Sequence, residues 1–280
     1  MRTIEVVIDG SADLPPTLQD RGNLFVVPQI VVVNEERLQV GQDISLEEVY
    51  RLMQAGKPVR AGHPSPDDFR VIFKKMASQV EGIVVVAPST AFNPTLVSAA
   101  VAAVTYKKLP VEVINTRLVS SGVGWVALAA SQAAAEGRSL DEVAQRAREA
   151  IDAVRVAFLA GDLASLRRHL HISPLAQRVH TALGHTALLT LSDRGLLDVI
   201  SYVPRGEKGM AHLLDWVEKA LPDRAQGAIV MHAAVPEAAA ILRREVSRRL
   251  GIDRVDVVDL TPMVGVRTGI GTLGIAVSTF

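Results

Sequence analysis

Hydroxyl, carboxylate and amide groups gather in two short segments, Asp9-Gly-Ser-Ala-Asp13 and Pro88-Ser-Thr-Ala-Phe-Asn-Pro94. Each follows a β-branched run, and ligands of α/β sheets bind in the loops beyond the carboxyl ends of strands. Ser89 and Thr90 stand just ahead of a helix expected to begin near Asn93, where free backbone N–H groups and the helix dipole favour an anion. Helix capping is the competing use, and one residue can serve both. Neither segment holds a histidine or lysine to activate a hydroxyl, and neither has the acidic cluster that would hold Mg²⁺ and a nucleotide. The chemistry suits binding an anion better than catalysis.

The remaining candidates divide between ligand contact and ordinary structure. His63 lies in Arg60-Ala-Gly-His-Pro-Ser65, where loop packing and contact with a ligand compete. His169 and His171 are spaced for a metal, but Arg167 and Arg168 beside them would repel a cation, so this segment reads as a basic surface patch and no metal site is expected. Gly269-Ile-Gly271-Thr-Leu-Gly274 matches the dinucleotide-binding pattern, yet a strand follows it rather than a helix, so a tight glycine turn is the reading. Gly122-Val-Gly124 opens a helix and reads as close helix packing. Arg243-Arg-Glu-Val-Ser-Arg-Arg249 reads as the solvated face of a helix.

Composition narrows the classes. The 280 residues are 49% apolar and 21% charged, too apolar for a disordered chain. Thirty basic residues balance thirty acidic ones, so no global field recruits nucleic acid. The absence of cysteine removes disulfides, Fe–S clusters and thiolate chemistry. The opening MRTIEVVIDG alternates as a strand does and lacks a signal-peptide stretch, and no apolar run reaches the roughly 18–20 residues that cross a bilayer. A cytoplasmic protein without stable membrane insertion and without a cofactor is expected.

The elements that must position these loops alternate. Ile4–Ile8, Leu24–Val33, Ile83–Ala87 and Val111–Ile114 read as strands with helices between them, which implies a parallel sheet. Ser45 with Glu48, and Ser65-Pro66 with Asp68, mark helix starts by capping. Gly137-Arg-Ser139 separates helices over Val119–Glu136 and Leu140–Val154. Beyond them come a strand at Val156–Leu159 and a hairpin of Ala187–Leu191 with Leu196–Val203 about Ser192-Asp-Arg-Gly195. Strands at Ala228–Met231, Val255–Val258 and Leu273–Ser278 then alternate with helices at Gly206–Ala220 and Pro236–Leu250. The expected fold is two α/β lobes, residues 1–155 with a mainly parallel sheet and the head-group loops, and residues 156–280 with a mixed sheet, enclosing a ligand between them.

Ile8-Asp-Gly-Ser11-Ala-Asp13-Leu14 resembles the opening of the DegV family of fatty-acid-binding proteins, and Phe25-Val-Val-Pro28 through Gly41-Gln-Asp-Ile-Ser45 to Tyr50 resembles the family's next stretch. Pro64-Ser65 with Phe69 is similar to the end of that family's Thr-Ser-Gln-Pro-Ser loop. Ser89-Thr90 to Thr95 and Ser98-Ala99 are similar to its serine-rich loop, Ser120–Gly124 to its Ser-x-Gly-x-Gly segment, and Gly265 to Gly271 to its His-x-Gly-Pro-Gly turn. The resemblance implies a carrier that holds a long-chain fatty acid by its carboxylate and presents it to a separate fatty acid kinase, which makes the acyl phosphate. It assigns head-group binding to Ser89, Thr90, Gly62, His63 and Arg267, and kinase docking to Arg167, Arg168, His171 and Arg205. The rival readings are a small-molecule sensor that meets no kinase and a substrate subunit like that of dihydroxyacetone kinase. Three departures bear on the head group: Ala61-Gly62-His63 replaces Thr-Ser-Gln, Asn93-Pro94 replaces Ser-Gly, and Arg267 replaces histidine. Two basic side chains arriving as neutral ones vanish read as compensation around one anion, provided Arg267 points inward and not to solvent.

Overall fold

The computed structural model describes residues 3–170 and 172–280. The first half is built on a parallel sheet whose order is β2 (Leu24–Val27), β1 (Thr3–Asp9), β6 (Val80–Ala87), β7 (Val111–Asn115). Chain connection reverses between β1 and β6, so the loops after Asp9 and Ala87 splay apart and leave a crevice at that switch point. Helix α1 (Pro16–Arg21) leads from β1 to β2. On the β6 side, α4 (Thr95–Thr105) connects to β7, and α3 (Pro66–Met76) packs beside α4.

The run expected as one strand over Leu24–Val33 is two. Pro28-Gln29 breaks it, since proline lacks the N–H a central strand needs. The second piece, β3 (Ile30–Val33), leaves the parallel sheet and joins β4 (Glu36–Gln39) and β5 (Val59–Ala61) in a separate antiparallel sheet. Residues 62–65, with His63, therefore follow a strand instead of joining two helices. Helix α2 (Leu46–Gln54) is capped by Ser45 as expected, its hydroxyl accepting the Glu48 N–H at 3.1 Å. Glu48 does not close the box, because its carboxylate takes Arg51 instead. Ser65 with Asp68, and Ser139 with Glu142, form complete boxes.

The second half carries a mixed sheet of order β10 (Leu197–Pro204), β9 (His185–Leu191), β8 (Val154–Leu159), β13 (Leu273–Ser278), β11 (Gly227–His232), β12 (Val255–Asp259). Its hairpin closes with the Gly195 N–H donating to the Ser192 carbonyl at 2.7 Å. Helices α9 (Glu207–Ala220) and α10 (Pro236–Leu250) cover one face. Three short helices carried no readable period: α7 (Leu163–Arg167), α8 (Pro174–Ala182) and α11 (Pro262–Thr268).

Between the two sheets lies α5 (Ser121–Ala135), with α6 (Leu140–Asp152) packed beside it. Both sheets press on α5, whose sheet-facing positions are accordingly filled mostly by Gly, Ala, Ser and Val. A Cβ on Gly122 would lie 2.5 Å from Val156 Cγ2, and one on Gly124 2.5 Å from Leu14 Cδ2 and 3.0 Å from the Ala12 carbonyl. These glycines serve packing, as the sequence suggested. Gly124→Val is expected to destabilise the protein by about 1–3 kcal/mol, the usual penalty of overpacking, even though glycine is itself a poor helix former. Urea unfolding at neutral pH measures this.

Candidate functional site

The crevice between β1 and β6 is roofed by the second half of the chain. Asn93 is held beneath it: its Nδ2 donates to the Gly62 carbonyl at 3.0 Å, and its Oδ1 accepts the Thr95 N–H at 2.8 Å and the Thr95 hydroxyl at 2.5 Å. Asn93 thereby holds the first residue of α4, Thr95, and pins the loop after β5 to the loop after β6. Gly62 lets this loop lie close against β3, since a Cβ there would lie 2.8 Å from Ile30 Cγ2. Arg267, on α11, points inward. Its guanidinium donates to the Phe92 and Met263 carbonyls and stacks on the Phe92 ring with Cζ 5.0 Å from the centroid. Burial lowers its pKa, but arginine has enough margin to keep its proton.

Asp9 and Asp13 anchor the other wall, both buried. The Ser11 hydroxyl donates to Asp9 Oδ1 at 2.7 Å, and the Thr95 hydroxyl lies 3.3 Å from Asp9 Oδ2. Asp13 Oδ1 accepts the Thr261 N–H at 3.1 Å, and Oδ2 takes the Ser120 hydroxyl. Tyr50 donates to the Leu260 carbonyl at 2.5 Å, and burial pushes its hydroxyl pKa up. Burial also pushes the Asp9 carboxyl up to about 6 and the Asp13 carboxyl up to about 7, outweighing the hydrogen bonds that lower them.

The residues singled out in the sequence fall into three groups. Gly62, His63 and Arg267 border the Asn93 cluster. The His63 carbonyl accepts from Arg37 at 2.9 Å, and burial followed by the Arg37 charge lowers the ring's pKa, so Arg267 is the group that brings positive charge to this place. Ser89 and Thr90 are differently engaged. The buried Ser89 hydroxyl donates to the Gly195 carbonyl at 2.8 Å, seating the hairpin turn of the second half on the first, and also accepts the Ala91 N–H at 3.2 Å. Thr90 is exposed, and neither side chain hydrogen-bonds to Asn93.

Arg167, Arg168 and Arg205 are exposed and lie along the rim beyond Arg267. Arg168 reaches the Ser165 hydroxyl at 2.9 Å, and Arg205 donates to the Gly161 carbonyl at 3.0 Å. His171 lies outside the described residues. The pKa of neighbouring His169 is lowered by burial, then by the charges of Arg267 and Arg168, which joins this rim to the Arg267 cluster. The Gly269 to Gly274 motif is a turn: Gly269 and Gly271 have φ of 88° and 90°, and a Cβ on Gly269 would lie 2.6 Å from Asp162 Cβ. Among the described residues, no three His, Asp or Glu side chains are grouped to hold a metal, and no helix is long and apolar enough to cross a membrane.

Grooves of about 540 and 550 Å³ open where the halves meet, one lined by Arg117, Ile151, Thr190 and Trp216, the other by Leu18, Trp125, Leu128 and Phe280. Neither includes a residue of the Asn93 cluster.

The family model described as "Uncharacterised protein, DegV family" matches residues 3–279. The chain belongs to the DegV family. A DegV domain-containing protein of Streptomyces coelicolor is 30% identical over 284 residues, covering 99% of both chains. A solved DegV-family structure from Thermus thermophilus, whose description names fatty acid binding, superposes with a TM-score of 0.86 at 26% identity over 99% of this chain and 100% of that one. A Bacillus subtilis structure described as a fatty acid binding protein shares the fold, with a TM-score of 0.86 at 19% identity over 100% of both chains.

Sequence reasoning passed over Asp9 and Asp13 as titrating groups, because only burial makes them unusual. In the folded protein both hold protons that the unfolded chain releases above about pH 4. Their contribution is therefore full at low pH and is lost as pH rises through about 6 for Asp9 and about 7 for Asp13. For Asp13 the upper bound is roughly 4 kcal/mol, at about 1.4 kcal/mol per pKa unit. Asp13→Asn keeps an oxygen for Thr261 and an N–H for Ser120. Its melting temperature is expected to exceed that of the wild type above pH 7 and to vary less between pH 5 and 8, as scanning calorimetry would register.

Proposed function

We propose that this protein is a fatty-acid carrier. The carboxylate binds where α11 meets the loops after β1, β5 and β6, and the acyl chain is enclosed in a buried tunnel in the apolar interior between the halves. The observation that carries this reading is Arg267, a cation turned inward onto Phe92 beside the Asn93–Gly62–Thr95 cluster. A guanidinium with N–H groups to spare makes charge-assisted hydrogen bonds to a carboxylate, roughly twice as strong as neutral ones. Membership in the DegV family and the likeness to the Thermus thermophilus protein support the ligand class. Of the residues the resemblance assigned to the head group, Gly62, His63 and Arg267 stand at this place, joined by Asn93 and Thr95. Ser89 contributes through the loop it braces against the hairpin turn.

Energetics suit a carrier. Burying a sixteen-carbon tail at about 0.8 kcal/mol per CH₂ gives on the order of 12 kcal/mol before ordering costs. The tail then supplies most of the affinity and the polar cluster fixes which end is presented. Mass spectrometry of an organic extract of purified protein is expected to find about one fatty acid per chain; a polar metabolite in its place would defeat the reading. Arg267→Met should lower hexadecanoic acid affinity about tenfold, the loss of a charged hydrogen bond, and Arg267→His should recover part of it.

The carrier reading includes a separate kinase that receives the carboxylate, docking on the rim of Arg167, Arg168 and Arg205. Long basic side chains beside the head group suit an acidic partner surface and act through steering. Charge reversal at Arg168 and Arg205 is expected to slow association with such a kinase and change its salt dependence, without changing bound lipid. Loss of lipid from that variant would move these residues to the pocket.

A further inference from the structure

Gln29 is the polar residue that the apolar run of β2 and β3 does not explain. It is 2% exposed, and neither its amide nitrogen nor its amide oxygen has a hydrogen-bond partner among the described residues. Buried polar side chains nearly always find partners, because an unpaired one forfeits its hydration for nothing. A leucine or valine would suit the surrounding strands without that cost.

Its place is specific. A Cβ on Gly10 would lie 3.3 Å from Gln29 Cβ and 3.0 Å from its nitrogen, so the side chain leaves the backbone against the loop that carries Asp9 and Ser11. The Gln29 carbonyl accepts the Val40 N–H, and the carbonyl of the next residue, Ile30, accepts the Gly62 N–H, both at 2.9 Å. Gly62 in turn binds Asn93. Gln29 thus stands where the loops after β1 and β5 converge, one residue from the Gly62–Asn93 contact. A carboxamide offers two donors and an acceptor in one plane, which matches a carboxyl group in either protonation state.

We propose that Gln29 is a head-group residue, its amide hydrogen-bonding the carboxyl of the bound fatty acid. The assignment rests on the carrier reading and adds a specificity element to it: a neutral group that recognises the carboxyl by geometry, beside an arginine that recognises it by charge. An amide left unpaired in the ligand-free protein and paired in the complex lowers stability in the first state and raises affinity in the second. A merely structural glutamine would do neither.

The test uses full-length protein stripped of lipid, with hexadecanoic acid as the probe, titrated at pH 7.5 into wild type, Gln29→Leu and Gln29→Met. Both variants are expected to melt at a higher temperature than wild type without ligand and to bind hexadecanoic acid about five- to tenfold more weakly, the range of one or two hydrogen bonds. Methionine keeps the length of glutamine, so it serves if the branched leucine perturbs folding. Affinity equal to wild type in a folded variant overturns the assignment alone and leaves the amide to a buried water. Failure of the wild-type protein to bind the probe overturns the carrier reading, and the assignment with it.

Discussion

Everything in this molecule depends on α5 being gripped from both sides. A helix pressed by two sheets keeps only a narrow edge toward solvent, at Gln132 and Ala135, and the side chains it turns to the sheets must be small enough for both to approach. Gly122 and Gly124 meet Val156 of one sheet and Leu14 beside the other at distances that no larger residue would allow. The apolar core is consequently continuous, running from Ile4, Val6 and Ile8 through Val123, Val126 and Ala130 to Phe158, Ile229 and Ala276. Neither sheet could bury its inner face without the other, and the relation between the halves is set at the first turn of that helix.

Polar contacts then close the seam at one end. Tyr50 reaches Leu260, Asp13 reaches Thr261, Ser89 reaches Gly195 and Arg267 reaches Phe92, each joining a residue of the first half to one of the second. Three of the four acceptors are main-chain carbonyls, and the fourth contact is a main-chain N–H donating to a carboxylate, so recognition between the halves reads backbone geometry more than side-chain identity. Such a seam tolerates sequence change at the partners while demanding the donors. It also concentrates charge where charge is costly: two buried carboxylates on one wall and a guanidinium on the other. The carboxylates answer by holding their protons to higher pH than ordinary carboxyls, whereas the guanidinium cannot shed its charge and must find acceptors or an anion.

The alternation of strands and helices, the hairpin, the serine caps at Ser45, Ser65 and Ser139 and the glycine turn after Gly269 were legible in the amino-acid sequence, whereas Glu48, expected to close a box on Ser45, takes Arg51 instead. Each rests on local rules: side-chain period, proline and glycine conformations, and a serine three residues before an acid. The same rules misjudged Leu24–Val33, where an apolar run conceals two strands in different sheets. They also passed over α7 and α11, which are too short to display a period, and α8, which buries none of its residues. The family resemblance was legible as well, through the order of its loops along the whole chain.

Side-chain direction at the site was not. Ser89, chosen for standing before a helix, turns to the hairpin of the other half, and Asn93, noted as a departure, became the residue that ties two loops together. Arg267 could have faced solvent as readily as Phe92 until α11 was placed over the crevice. Gln29 offered a signal, one amide in an apolar run, but a lone polar residue there means nothing until its burial and lack of partners are known. Sequence determined which segments form the walls, because propensity and periodicity act over a few neighbouring residues. Tertiary structure alone decided which groups meet, because burial, raised carboxyl pKa values and hydrogen bonds between residues more than a hundred positions apart exist only once the two sheets have closed on α5.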